Sequence, residues 1–69
     1  MADSPPKLTW RDTEDIAAAL QKQYPGADPL SLSFPKLHRM ILSLENFGGQ
    51  PNDSTEGILE EIQMLWHEG

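Results

Sequence analysis

The chain has 69 residues, with 11 acids against five Lys and Arg, a net charge of −6 and no cysteine. That suits one small domain with a modest core, no disulfide staple and no thiolate to attack a substrate or ligate a metal. No apolar run is long enough for a membrane span, and the first residues lack a basic stretch followed by an apolar core, so no signal peptide is expected and the cytoplasm is the default compartment.

Residues 1–7 contain two prolines and little to bury, and read as a disordered leader before a single domain over 8–69. A first helix is expected from about Asp12 to Tyr24. Asp12 would cap it, with Asp15 at capping-box spacing, and Glu14 and Asp15 suit the dipole of its first turn. Ile16, Ala17, Leu20 and Tyr24 share one face, and Pro25-Gly26 ends the helix. Leu30, Leu32 and Phe34 then alternate like a short strand, as do Leu8-Thr9-Trp10, so the two segments could form a minimal antiparallel pair.

A second helix is expected from about Phe34 to Asn46, capped by Ser33, with Pro35 in its first turn and Gly48-Gly49 as its stop. Leu37, Met40, Ile41, Leu44 and Phe47 form its apolar stripe, and Leu42 faces outward. A third helix is expected from about Ser54 to His67, capped by Asp53 or Ser54. Ile58, Leu59, Ile62, Leu65 and Trp66 face the core, and Glu56, Glu60, Gln63 and His67 line the opposite side. Trp10 and Trp66 should both be buried. The fold class is mainly α: three helices with at most a minimal β-sheet, as a small winged-helix-like domain or a three-helix bundle.

The charge is unevenly placed. Residues 1–39 balance five acids with five bases, whereas residues 40–69 hold six acids and no base. Such a field repels nucleic acid and anionic lipid and attracts basic proteins and cations. His38 and His67 lie in no nucleophile motif, and no glycine-rich phosphate loop is present, so the chain is expected to bind and not to catalyse. Exposed carboxylates are donors that hard cations such as iron accept, without the Cys/His set of a structural zinc site. Lys36, His38 and Arg39 near the start of the second helix raise a DNA-binding winged helix as the alternative. Two fixed bases make few phosphate contacts, and a charge of −6 opposes them.

Taken together, Leu8-Thr9-Trp10, Asp12, Ile16-Ala17, Leu20, Tyr24-Pro25, Asp28-Pro29, Phe34, Leu44-Glu45, Phe47, Pro51, Glu56, Ile58-Leu59-Glu60, Ile62 and Trp66 form an ordered series. In this series the chain resembles the IscX family, small acidic accessory proteins of bacterial iron–sulphur cluster assembly, over about residues 8–68. The resemblance implies a modified winged-helix fold, and a monomer is expected. It also implies binding to the cysteine desulfurase IscS, on a basic surface that bacterial frataxin also uses, and weak iron binding through carboxylates.

Position by position, it carries over Asp12, Asp15, Asp28, Glu45, Glu56 and Glu60 as candidate iron ligands. All of these but Glu45, together with Glu14 and Glu61, are the candidate contacts to the desulfurase. Glu14 and Glu61 enter on charge alone. Two departures stand out. Gly48-Gly49-Gln50 occupies a loop where the family often carries aspartates, and Met40 stands where Trp is frequent.

Overall fold

The computed structural model describes residues 7–69. The expected leader lies outside the described residues except for Lys7. Three α-helices follow in chain order: α1 (Thr13–Gln23), α2 (Phe34–Leu42) and α3 (Glu56–Glu68). Short 3-10 turns, Pro29–Ser31 and Pro51–Asp53, precede α2 and α3. The domain is mainly α, as expected, and among the described residues there is no sheet.

The helices form where apolar spacing and helix-start chemistry agree. On α1, Ile16, Ala17 and Leu20 are buried. On α2, Ser33 accepts from the Lys36 N–H at 3.4 Å, Pro35 occupies the first turn, and Leu37 and Ile41 are buried. Thr55 caps α3, in place of the expected Asp53 or Ser54, and accepts from the Ile58 N–H at 3.2 Å. Leu59, Ile62 and Trp66 of α3 close the core. Ile16, Leu20, Leu37, Ile41 and Ile62 are the largest fully buried side chains, each contributing about 1.5–3 kcal/mol through removal of apolar surface from water. Both tryptophans are buried, as expected.

The expected strand pair does not form. Pro29–Ser31 turns as a 3-10 segment because the Asp28 carboxylate accepts from the Leu30 N–H and the Asp28 carbonyl accepts from the Ser31 N–H. Leu30 is left 51% exposed. Leu8 instead makes an isolated parallel bridge to Phe47, with its N–H on the Asn46 carbonyl at 2.7 Å and its carbonyl accepting from Gly48 at 2.8 Å.

Helix α2 also ends four residues before the expected Asn46. The Ser43 hydroxyl donates to the Met40 carbonyl at 2.7 Å, competing with the helical pattern at the last turn. The chain then descends in i to i−3 steps, Leu44 N–H to the Ile41 carbonyl and Phe47 N–H to the Leu44 carbonyl. Leu44 and Phe47 are thereby buried without a helix to carry them. Leu42 packs partly against the core rather than standing free, and Met40 does the same.

Gly48-Gly49 is therefore not the stop of α2. A Cβ on Gly49 would lie 2.6 Å from Phe47 Cζ and 2.9 Å from Trp10 Cδ1, so the residue is bare because two aromatic rings occupy its flank. The Trp10 indole N–H donates to the neighbouring Gln50 carbonyl at 2.5 Å. Its ring stacks on His38 and meets Phe47 edge-on. The Gly49-Gln50 segment is a cradle for Trp10.

Candidate partner-binding surface

The carboxylates singled out in the sequence lie on the surface, and the fold sorts them into groups. Asp12 stands just before α1, but its side chain does not cap the helix. It turns back to accept from the Thr9 N–H at 2.9 Å and from the Thr9 hydroxyl at 3.3 Å. The expected Asp12 capping box is therefore replaced by a turn that ties the Trp10 segment to the start of α1. Glu14 and Asp15 are exposed in the first turn of α1, where the positive end of the helix dipole favours them.

Thr13, at the first position of α1, donates its hydroxyl to Glu61 Oε2 on α3 at 2.5 Å. This contact spans 48 residues and ties α3 to the first turn of α1. Thr13, Gly57, Ile58 and Glu61 line a shallow groove here together with Trp10 and Arg11.

Glu56 and Glu60 belong to a different flank of α3. They share a row with Gln63, since positions three and four apart on a helix are neighbours. Gln63 was expected to face solvent with them, but it is partly buried. Its amide donates to the Pro29 carbonyl at 2.8 Å and to the Leu32 carbonyl at 3.4 Å. The row therefore abuts the turn that Asp28 organises. Glu45 sits apart, with Lys22 and Gln23 lining the same surface depression.

Among the described residues no three His, Asp or Glu side chains come together in a group that could hold a metal ion. The donors suit a hard cation, but their placement does not form a cage around one. His38, raised in the DNA-binding reading, is partly buried against Trp10, and its Nε2 lies 2.9 Å from the Pro51 carbonyl. It is a structural residue in this fold.

Sequence reasoning missed the roles of Thr13 and Gln63. Each pairs with a residue more than 30 positions away, and neither spacing nor composition signals such a contact.

No helix among the described residues is long and apolar enough to cross a membrane. Small size, three helices on one core and polar chemistry spread over open faces define a small, acidic, mainly α domain. The chain belongs to the iron–sulphur cluster assembly (IscX) family, whose family model matches residues 8–69. It is also 38% identical, over 61 residues, to an uncharacterised protein of Pseudomonas aeruginosa, an overlap covering 88% of this chain and 92% of the relative.

Proposed function

We propose that this chain acts in iron–sulphur cluster assembly as a non-catalytic acidic adaptor that binds the cysteine desulfurase IscS and modulates it. The observation that carries the reading is the set of exposed carboxylates, Glu14, Asp15, Glu56, Glu60 and Glu61, on a chain whose last 30 residues hold six acids and no base. A basic partner surface is the natural complement of such a set, and charge complementarity mainly raises the association rate. Family membership supports the assignment to the assembly machinery.

Iron enters this reading as a weakly held ligand of exposed carboxylates and not as a resident cofactor. Asp12, Asp15, Asp28, Glu45, Glu56 and Glu60 are its candidate donors. Their dispersal among the described residues supports low affinity and easy competition by stronger chelators. Anaerobic titration with Fe²⁺, followed by backbone amide shifts, tests this part alone. If no acidic residue responds at millimolar iron, the iron role is removed and the adaptor role stands.

The adaptor role is tested by calorimetry against the cognate desulfurase. Affinity is expected at low salt and should fall as salt rises, because exposed charge pairs are screened over about 10 Å at 0.1 M ionic strength. Charge reversal at Glu14 and Asp15, set against charge reversal at Glu56 and Glu60, shows which helix docks, and affinity is expected to fall in at least one of the two pairs. No binding at low salt would overturn the proposal.

A further inference from the structure

The bases of α2 have no part in the acidic reading, yet they sit on a built surface. From Pro29 to Leu44 the sequence contains no acid, while Lys36 and Arg39 are both exposed. Helix α2 turns Leu37 and Ile41 into the core, and its other side carries two shallow grooves. One is lined by Phe34, Pro35, His38, Arg39, Leu42 and Leu59. The other includes Tyr24, Lys36 and Met40. Pro35 and Arg39 line both, so this pair, four residues apart on the helix, forms the ridge between them.

We propose that this face of α2 is a second docking surface, and that its occupant is an acidic segment of a partner protein carrying apolar side chains. Carboxylates of the segment would meet Lys36 and Arg39, and an apolar side chain would settle against Phe34, Leu42 and Leu59. Charge complementarity selects the occupant. At physiological salt the screening length is about 8 Å, so a short acidic segment is attracted by the two local cations and is little affected by the distant carboxylates. A nucleic acid is long enough to meet those carboxylates as well, and two cations release too few counterions to offset the repulsion. A second copy of this chain, also acidic, is separated from this occupant by the concentration test below. The groove walls are also largely carbon, which favours an apolar anchor over a phosphate backbone.

A protein with one acidic and one basic-apolar face can hold two partners of opposite charge together. This second surface stands whatever partner occupies the acidic face.

The test uses the full chain labelled with ¹⁵N and a synthetic peptide of alternating acidic pairs and leucines. Saturable shifts are expected at Lys36, His38, Arg39 and Leu42. Combining Lys36→Glu with Arg39→Glu should weaken binding about tenfold, as expected for two exposed charge pairs reversed, with unchanged helicity by circular dichroism. No α2 shifts at millimolar peptide overturn the proposal, as does undiminished binding by the double variant. Equal α2 shifts with a DNA oligonucleotide would assign the face to nucleic acid instead. α2 shifts on concentrating the protein alone would assign it to a second copy, and either result overturns the proposal.

Discussion

The indole of Trp10 lies flat against the imidazole of His38, with ring centroids 5.4 Å apart and planes inclined by 9°. One residue precedes α1 and the other belongs to α2, so the stack joins the start of the domain to its middle. The hydrogen bond between His38 and the Pro51 carbonyl extends this connection towards α3. His38→Ala removes the stack and the bond together. A loss of about 1–2 kcal/mol is expected in urea unfolding followed by tryptophan fluorescence. Lys36→Ala, on the same helix but exposed, should change stability by no more than about 0.5 kcal/mol. Equal effects would mean that the stack contributes nothing.

Two glycines should respond to alanine in opposite directions. At Gly49 the new methyl group would press on Phe47 and Trp10 at 2.6 and 2.9 Å, atoms held in the core with little room to move. Gly49→Ala is expected to cost about 1–3 kcal/mol, as overpacked sites do. At Gly57 the nearest atom is Thr55 Oγ1 at 3.8 Å, and the residue lies in the first turns of α3. Gly57→Ala should stabilise the fold by about 0.5–1 kcal/mol through helix propensity. Thermal unfolding of the two variants beside the parent protein decides both signs.

Gly57 also borders the groove beside Thr13 and Glu61. Its bare surface relieves no crowding inside this chain, but it would let a partner backbone approach α3 closely. If the desulfurase docks here, Gly57→Ala should weaken its binding while raising the melting temperature. Calorimetry on a variant already shown to be more stable separates the two effects. A stabilised variant with full affinity would place the docked partner away from Gly57.

The helices were legible because several local signals coincide. On α1, Ile16, Ala17 and Leu20 repeat at helical spacing between an acidic first turn and Pro25-Gly26, and the observed span differs by one residue at each end. The end of α2 was not legible because Ile41, Leu44 and Phe47 recur every three residues. That spacing fits a continuing helix and a descent in i to i−3 turns equally well, and the Ser43 hydroxyl bond decides between them. The alternation of Leu30, Leu32 and Phe34 misled for a related reason. Three apolar residues are too few to define a strand, and Asp28-Pro29 is a strong turn former. At the candidate surface the acidic residues were visible as residues. The Thr13–Glu61 contact was not, because it depends on how α1 packs against α3.

Gln63 provides the sharpest test of that packing. Its amide nitrogen faces the Pro29 and Leu32 carbonyls, which can only accept. Gln63→Ala leaves those carbonyls without this donor and should cost about 1–2 kcal/mol. Gln63→Glu keeps the shape but places an ionised carboxylate against two carbonyl oxygens, so at pH 7 it should cost more than alanine. The penalty has a definite pH sign. Protonation gives the new carboxyl group an O–H donor, so the folded state favours the protonated form and binds the proton more tightly than the unfolded chain. Stability of Gln63→Glu relative to the parent should therefore recover as pH falls through its raised folded-state value, above the ordinary Glu value of about 4.3, and be largely restored by that value, whereas the cost of Gln63→Ala stays level. Urea unfolding of the three proteins at pH 4 and pH 7 measures the difference. A Gln63→Glu penalty independent of pH would mean that this side chain does not hold the Pro29–Ser31 turn to α3.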